Sequence, residues 1–487
     1  MDKKGKDNNR SGDKKPRRGG GGCSRSQDVS GGSGGGGRRS RARSRRPPHA
    51  SRRLRRSARA GGVGGAGGSS SRRLEEEHWF HGYVPREDMN ALLRRPGDYL
   101  VRTTETVEGG GFQYVLSVAA SDKMPVRHLV LRPDQLGRYG VTNERRFASI
   151  SELMRTYAKE GSMKTAKGAE ILLKRAVRHQ DWELRREQIS LGEKLGEGAF
   201  GEVKRGTLTT RRPEMTVPVA VKCVFNTDNR LTKAQVQEIM KEARLMREYK
   251  HENIVRFYGV VAQGEPILIV MEMVNGGSLD KFLQKQSSAS ELQLVDLIGF
   301  CLDAARGLDY LHGKNCIHRD IAARNCLVHV SDSEGRRVVK ISDFGLCRKE
   351  STYKMDMKKK VPIRWLGPET MKQGLYTFKS DVFSYGILIW EVFNGGNEPY
   401  PGMSPREVQL FVLRGLRMQR PPDMPQNMWS LVTDCWAQEP EHRPDFHQIV
   451  GYLEDKLPHD RLPGGGGGGG EGGAGAGLGA RGPAALF

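Results

Sequence analysis

The sequence predicts an α+β protein in which two folded blocks lie between two low-complexity tails. Residues 1–74 and 458–487 are rich in Gly and hold few large apolar side chains. Residues 75–177 combine two helical patterns with three apolar strand candidates, and residues 189–457 begin with strands and become helical. We expect a linker at 178–188. The 487 residues suffice for two or three domains of ordinary size.

The N-terminal tail carries most of the net charge. Residues 1–74 hold 22 Lys and Arg against four Asp, which gives +18 of the formal net charge of +23. Such a segment cannot bury enough apolar surface to offset its ordering entropy, so we predict that it is disordered. Three interpretations stay open: a solvated tail, attraction to an anionic membrane surface, and nuclear import or RNA binding. Nucleic acid is the partner that we expect least.

The first block has the pattern of a small mixed domain. Residues 86–93 and residues 149–157 each show an amphipathic period suited to a helix. Apolar-rich segments at residues 98–102, 112–118 and 126–132 predict strands. A helix, a small antiparallel sheet and a second helix together make a compact domain of about the usual size.

The second block changes from strand patterns to a helical period along its length. Strand patterns fill its first part, and a helical period follows Gly276-Gly277. We therefore expect a small β-rich lobe joined to a larger helical lobe. The predicted elements are, in chain order, strands at 189–195, 202–208 and 217–224, a helix at 232–249, strands at 256–261 and 267–271, and a helix at 292–311.

Cysteine and hydropathy patterns exclude several classes of protein. The seven Cys form no C-x-x-C pair and are odd in number, which argues against a disulfide framework or a zinc site and for reduced thiols. The longest apolar runs, near residues 267–274 and 386–392, are too short to span a membrane and contain acids. We therefore expect a cytoplasmic protein, which the basic tail could hold at the plasma membrane.

A run of polar residues in the second block indicates a reaction class. His318-Arg319-Asp320 is followed by Arg324-Asn325, and Asp343-Phe344-Gly345 begins eighteen residues after Asn325. Two carboxylates and a carboxamide at this spacing suit Mg²⁺-assisted phosphoryl transfer from ATP. One acid takes the acceptor's proton, and the other acid and the amide hold metal ions against the phosphates. The segment therefore predicts a phosphotransferase.

A glycine-rich segment, residues 195–203, lies upstream between two strand candidates. Its three glycines let the backbone approach phosphates, although a plain hairpin or a dinucleotide-binding turn would give the same pattern. A strand follows, which argues against the dinucleotide fold. Lys222 lies in an apolar strand and needs a partner for its ammonium, and both ATP phosphates and Glu242 on the next helix are suitable. Taken singly, either residue also fits an ordinary surface position.

These motifs have the order and spacing of the eukaryotic protein kinases, which the whole second block resembles. The resemblance implies a bilobal fold that uses ATP and Mg²⁺. It implies catalytic roles for Lys222, Glu242, Asp320, Arg324 and Asn325, and metal binding by Asn325 and Asp343. The ATP-binding residues that it implies are Leu195, Gly196, Glu197, Gly198, Ala199, Phe200, Gly201, Glu202, Val203, Ala220, Lys222, Met273 and Leu327.

The same resemblance implies supporting roles. Glu369 is expected to pair with Arg443, and Asp381 to brace the catalytic loop. Met271 would lie at the back of the nucleotide pocket, with Glu272 and Met273 in the hinge that binds adenine.

Two segments resemble those of kinases that phosphorylate tyrosine. Ala322-Ala323-Arg324 is similar to the tyrosine-kinase catalytic loop, where serine/threonine enzymes usually carry a Lys. Pro362-Ile363-Arg364-Trp365 is similar to the segment that supports a long phenolic side chain. Tyr353 is then the expected autophosphorylation site, and its phosphate could dock on Arg319. An exposed loop tyrosine without a regulatory role is the alternative.

The first block resembles an SH2 domain across its length. The resemblance implies phosphotyrosine binding by Arg86, Arg102, Thr104 and His128, although a structural sheet histidine stays the alternative for His128. Arg102 ends an apolar strand, where a guanidinium without an anion partner would be costly. The segments that carry the resemblance are Trp79-Phe80-His81-Gly82, residues 97–102 and residues 114–118.

An SH2 domain at 75–177 followed by a tyrosine kinase domain at 189–457, with Trp182-Glu183-Leu184 at the junction, most resembles the Fes/Fer branch of non-receptor tyrosine kinases. We expect a compact form without the F-BAR region. The expected substrates are protein tyrosines, and the expected partners of the SH2 domain are phosphotyrosine-containing proteins. Two rivals stay open: a phosphotyrosine-binding scaffold with a silent kinase domain, and a serine/threonine kinase.

Overall fold

The computed structural model describes residues 73–105, 111–120, 126–198, 201–211, 213–224, 231–287, 292–331, 335–356 and 361–457. The predicted disorder of both tails therefore falls almost wholly on positions outside the described residues. The described blocks mix helices and sheets, and the predicted α+β class is confirmed.

The first block is built on a five-stranded sheet between two helices. Its strand order is β4-β3-β2-β1-β7, antiparallel except that β7 pairs parallel to β1, and β5 and β6 form a separate hairpin. A 3₁₀ turn at Arg86–Asp88 leads into the first helix, so the pattern at 86–93 is helical but only partly α. The elements are β1 (Asp98–Glu105), β2 (Phe112–Val118), β3 (Arg127–Pro133), β4 (Tyr139–Gly140), β5 (Ser162–Lys164), β6 (Glu170–Leu172), β7 (Arg175–Ala176), α1 (Met89–Leu92) and α2 (Ile150–Glu160).

Local chemistry sets the limits of α2. The side chain of Ser149 accepts a hydrogen bond from the N–H of Glu152 at 3.1 Å, which satisfies one of the free donors at the helix start. Gly161 ends the helix with φ +77°, a left-handed conformation that Gly adopts without strain. The helix buries Leu153 and Met154 against one face of the sheet, and Met89 packs on the other face.

The small lobe of the second block is a five-stranded antiparallel sheet with one long helix. Its strand order is β11-β12-β10-β9-β8. The helix starts with a capping box between Thr232 and Gln235, in which each side chain accepts from the other's backbone N–H. The elements are β8 (Ile189–Gly198), β9 (Gly201–Arg211), β10 (Glu214–Val224), α3 (Lys233–Glu248), β11 (Phe257–Val261) and β12 (Ile267–Glu272), which agree with the predicted strands and helix within a few residues.

The large lobe is helical with two small two-stranded sheets. Strands β13 and β14 pair antiparallel after the catalytic loop, and β15 pairs antiparallel with β16 across the segment that holds α6. The elements are α4 (Leu279–Ser287), α5 (Leu294–Gly313), β13 (Cys326–Val330), β14 (Arg337–Ile341), β15 (Thr352–Lys354), α6 (Pro368–Gln373), β16 (Leu375–Thr377), α7 (Phe378–Phe393), α8 (Pro405–Leu413), α9 (Gln426–Cys435) and α10 (Phe446–Glu454).

Helix α7 forms the centre of the large lobe. Every residue from Ser380 to Phe393 is buried, so this largely apolar helix is covered on all sides. The apolar run at 386–392 is therefore core. Among the described residues, no helix is both long and apolar enough to cross a membrane.

The first block packs directly on the small lobe. The N–H of Tyr83 donates to the carbonyl of Ala262 at 2.8 Å, and the ring of His81 lies 2.7 Å from the carboxylate of Glu183. Gly82 makes the close approach possible, since a Cβ there would fall 1.9 Å from the carbonyl oxygen of Ala262. This contact brings the SH2-like block against the lobe that carries Lys222.

Candidate active site

A buried ion pair links the small-lobe sheet to α3. The ammonium of Lys222 on β10 lies 2.8 Å from Oε1 and 2.9 Å from Oε2 of Glu242. The sequence predicted that the ammonium of Lys222 pairs with Glu242 or with the phosphates of ATP. The pair is only partly reached by water, since the side chain of Lys222 is 22% exposed and that of Glu242 is 10% exposed, so it depends largely on the two elements staying packed.

A second carboxylate acts on the same pair. Burial raises the pKa of the Glu242 carboxyl; Lys222 lowers it, and Asp343 raises it further. Burial also disfavours the ammonium of Lys222, but Glu242 and Asp343 together outweigh burial and raise its pKa. A Cβ on Gly345 would lie 3.3 Å from Asp343 Oδ1 and 3.8 Å from Glu242 Oε2, so both carboxylates approach one point. The site therefore carries more negative than positive charge and favours an added cation.

The predicted catalytic loop holds three of its residues together. The guanidinium of Arg324 donates to Asp320 Oδ1 at 2.6 Å, and the amide of Asn325 donates to the Asp320 carbonyl at 2.8 Å. The N–H of Ser342 donates to the Asn325 carbonyl at 2.9 Å, which sets Asp343 next to Asn325 in space. These contacts bring the two predicted metal ligands and the predicted base into one region between the lobes.

Asp381 on α7 holds the backbone of this loop through hydrogen bonds. Its carboxylate accepts from the backbone N–H groups of His318 and Arg319 at 2.7 and 2.9 Å, as the resemblance implied. Arg319 and Asp343 both adopt positive φ values, +73° and +60°, which non-glycine residues hold only where the surroundings enforce them. The hydrogen bonds that the Asp381 carboxylate accepts hold the backbone of Arg319 in this conformation.

Glu391 is a residue that the sequence did not single out. Its Oε2 accepts from the N–H of Ala323 and from the indole N–H of Trp365, both at 3.0 Å. Burial raises the pKa of Glu391 to about 7, although both donors oppose this shift. Arg324 stacks on Trp365 with its guanidinium carbon 4.1 Å from a ring centroid. Glu391 thus joins the catalytic loop to the segment that was predicted to support tyrosine.

Tyr353 lies on β15 beside the catalytic loop. The guanidinium carbon of Arg319 lies 4.1 Å from the centroid of the Tyr353 ring and 4.4 Å from that of Tyr376, a cation–π arrangement. Nε of Arg319 is buried and has no hydrogen-bond partner among the residues that the structure describes. Burial lowers the pKa of Arg319. An anion on the phenol oxygen of Tyr353 would therefore find a desolvated cation nearby.

The structure describes most of the residues that were predicted to bind ATP. The β8–β9 hairpin pairs Gly196 with Val203, Glu197 with Glu202 and Gly198 with Gly201. Leu195 is exposed on β8. Ala199 and Phe200 lie outside the described residues. Ala220 pairs with Met271 across β10 and β12, Met273 follows β12, and Leu327 lies on β13 of the large lobe.

The glycine-rich hairpin is tight. Gly201 has φ +148°, and a Cβ there would fall 2.0 Å from the carbonyl oxygen of Cys223. Another residue at this position would force β9 away from β10. The hairpin that was one interpretation of the sequence is present, and its close backbone packing is compatible with phosphate binding.

The four predicted phosphotyrosine residues line one cavity of about 250 Å³ in the first block. Arg102 is buried and donates to the hydroxyl of Ser117 at 3.2 Å and to the carbonyl of Val84 at 3.3 Å. Burial lowers the pKa of Arg102 to about 10, with a further contribution from Arg86. Burial, Arg102 and Arg86 lower the pKa of His128 to about 4. The cavity is therefore a desolvated cationic site that favours an anion.

Metal binding at the active site needs ligands from a substrate. Within the described ranges, no group of three or more His, Cys, Asp or Glu side chains could hold a metal ion alone. Asp343 and Asn325 offer one carboxylate and one amide, a set that suits a hard divalent cation when phosphate oxygens complete the shell. The carboxylates of Glu242 and Asp343 also outnumber the single ammonium of Lys222, which favours a bound cation at the same place.

Two family models match the chain. The model described as protein tyrosine and serine/threonine kinase covers residues 189–453, and the SH2 domain model covers residues 79–157. Together they span the two blocks that the sequence analysis separated.

Curated relatives match along both blocks. The tyrosine-protein kinase Fer of Rattus norvegicus is 39% identical over 389 residues, which cover 78% of this chain and 44% of that protein. The transforming protein Fps of avian sarcoma virus (strain PRCII) is 38% identical, over 77% of this chain and 66% of that protein. Fer-related kinase 1 of Caenorhabditis elegans is 35% identical, over 77% of this chain and 93% of that protein. The chain spans less than half the length of the Fer kinases that it matches.

Proposed function

This chain belongs to the SH2-containing tyrosine kinases related to Fer and Fps, which confirms the predicted resemblance, and we propose that it transfers the terminal phosphoryl group of ATP to tyrosine in proteins. The observation that supports catalytic competence most is the Lys222–Glu242 pair, which lies assembled beside Asp343. A silent scaffold would have no need of a partly buried ammonium that is paired with Glu242 and attracted by the charge of Asp343. We also propose the domain limits 75–177 and 189–457.

In the proposed reaction, Asp320 accepts the proton of the acceptor phenol through its carboxylate. Arg324 fixes one oxygen of that carboxylate and, stacked on Trp365, shapes the space beside it for an aromatic acceptor. Lys222 orients the phosphates of ATP, and Glu242 holds Lys222 in place. This arrangement is proposed to favour tyrosine over serine, because Trp365, on which Arg324 stacks, can support an aromatic ring beside Asp320.

The family implies ATP and a divalent metal ion. We propose Mg²⁺ as that ion, with Asn325 and Asp343 as its protein ligands. When bound, it would neutralise phosphate charge and hold the nucleotide in line. The residues from Leu195 to Val203, with Ala220, Met273 and Leu327, are proposed to hold the nucleotide.

The proposed partners follow from the two domains. Protein substrates carry the acceptor tyrosine, and phosphotyrosine-containing proteins bind Arg86, Arg102, Thr104 and His128. We propose a cytoplasmic location, with the basic tail of residues 1–74 binding anionic membrane surfaces. Liposomes with and without phosphatidylserine, and an RNA duplex, each mixed with the full chain at two salt concentrations, test that last proposal; binding to RNA alone would contradict it.

The activity is tested by a radiolabel assay on poly-Glu/Tyr with ATP and Mg²⁺. We expect label on the polymer from the wild-type chain and a loss of at least a hundredfold in kcat for Asp320→Asn, which keeps the shape but not the base. Equal signals from both proteins would remove the enzyme interpretation. Phosphoamino-acid analysis of a labelled protein substrate separates tyrosine from serine and threonine.

A further inference from the structure

The cavity that holds Arg102 is not enclosed by the first block alone. Three of its lining residues, Lys233, Val236 and Gln237, belong to α3 of the small lobe. They occupy the first turns of that helix, and Val236 is buried there. The wall of the phosphotyrosine cavity is thus shared between the two blocks.

Hydrogen bonds hold α3 at this wall. The side-chain amide of Gln237 donates to Glu87 Oε1 at 3.0 Å, and the backbone N–H of Lys233 donates to Glu105 Oε2 at 3.3 Å. Both carboxylates also line the cavity. Because α3 donates to both of them, these two carboxylates are held by the small lobe, and the start of the helix is fixed at the edge of the cavity.

Both blocks contribute cationic residues to the cavity. Arg86 and Arg102 of the first block and Lys233 of the small lobe line it, three cations against the two carboxylates of Glu87 and Glu105. Lys233 is also the first residue of a 16-residue helix, at the end where the helix dipole is positive. Lys233 is exposed and lines the cavity, so its flexible side chain is free of burial on the side where a ligand would enter.

We propose that Lys233 and Gln237 of the kinase domain form part of the phosphopeptide site, so that a phosphotyrosine peptide is bound by both domains at once. This rests on the proposed phosphotyrosine binding by Arg102 and adds the small lobe to it. Lys233 supplies a cationic contact to the peptide beside the phosphotyrosine. Peptides with acidic residues next to the phosphotyrosine are therefore the favoured class.

The test uses the full chain and fluorescence anisotropy with a fluorescein-labelled peptide, Gly-Glu-phosphotyrosine-Glu-Gly, at fixed salt. Lys233→Glu should raise Kd at least fivefold, while Lys233→Arg, which keeps the charge and the backbone bond to Glu105, should stay within twofold of wild type. Lys281→Glu on α4 is the matched control; it makes the same charge change at an exposed position of the large lobe and should leave Kd unchanged.

A further variant separates this inference from the function on which it rests. If Arg102→Ala abolishes binding but Lys233→Glu leaves Kd within twofold of wild type, the small lobe has no part in the site. If Arg102→Ala also binds normally, the proposed phosphotyrosine binding fails and the inference fails with it. A Kd raised equally by Lys233→Glu and Lys233→Arg would indicate a disturbed helix start, and would equally overturn the cationic contact.

Discussion

The guanidinium of Arg244 donates to both carboxylate oxygens of Asp88, at 2.8 and 3.1 Å. Asp88 lies in the first block, and Arg244 lies on α3, two residues after Glu242. A bidentate pair of this kind fixes orientation as well as distance. It therefore connects the SH2 block to the helix that positions Lys222.

Breaking this pair should lower kinase activity without touching the active site. For Asp88→Arg we expect kcat to fall about threefold to tenfold, because α3 loses a restraint and Glu242 is held less firmly against Lys222. Steady-state assays on poly-Glu/Tyr measure this change. The double variant Asp88→Arg with Arg244→Asp restores opposite charges and should recover activity.

The control for that experiment is Asp134→Arg, which breaks an ion pair with Arg138 within the first block. It should leave kcat at the wild-type value. Equal losses in Asp88→Arg and Asp134→Arg would mean that general destabilisation, not the restraint on α3, explains the result.

Lys222→Met should remove activity and also destabilise the protein. Glu242 would keep a buried carboxylate without its cation, which costs about 2–3 kcal/mol. Thermal unfolding should show a lower Tm for Lys222→Met, and adding Glu242→Gln should recover most of that loss while kcat stays at least a hundredfold down. A double variant no more stable than the single one would show that the unpaired carboxylate is not the cause.

Tyr353→Phe should abolish activation by preincubation with ATP while leaving Tm unchanged. The phenylalanine ring can keep the contact with Arg319 at 4.1 Å, but it cannot carry the phosphate that would bind Arg319 Nε, which lacks a hydrogen-bond partner in the described part of the chain. Activity before and after preincubation, with mass spectrometry of the segment, measures this. Tyr452→Phe is the control, and activation that persists in Tyr353→Phe would point to another site.

Glu391→Gln should flatten the dependence of stability on pH. The folded pKa of Glu391, about 7, lies above the ordinary value of 4.5, so the folded state binds the proton more tightly than the unfolded state. Its contribution to stability is thus complete below pH 4.5 and falls as pH rises through 7. Wild type should lose stability relative to Glu391→Gln between pH 5 and 8, by roughly 1–3 kcal/mol at pH 8.

Thermal unfolding at several pH values gives that comparison. Glu441→Gln replaces an exposed acid and should keep the wild-type slope. Parallel curves for wild type and Glu391→Gln would show that Glu391 titrates as an ordinary carboxyl and does not hold a proton in the folded protein.

Much of the active site was predictable because its residues lie in short contiguous motifs. Asp320, Arg324 and Asn325 are within six positions, and their mutual contacts at 2.6 and 2.8 Å follow from that spacing. Strand β2 was predicted to the residue, since its apolar side chains fill both faces of a buried sheet. The parallel strand β7 was missed because two residues carry too short a pattern to recognise.

Glu391 was missed for a different reason. Glu391 lies in an apolar run that indicates core, and its neighbours in the sequence do not predict its hydrogen bonds with Ala323 and Trp365. A single acid inside a buried helix was the available signal, because an unpaired carboxylate there would be costly. Its partners come from segments 68 and 26 positions away.

By itself, the sequence separated the two blocks and indicated the proposed reaction and the residues proposed to carry it, because these depend on side-chain type and on spacing within one segment. Only the tertiary structure decided that α3 borders the Arg102 cavity, that Arg244 meets Asp88, and that Glu391 joins two loops. Each of these contacts joins segments that are distant in the sequence. The packing of whole helices and strands brings these segments together, and no local sequence pattern predicts that packing.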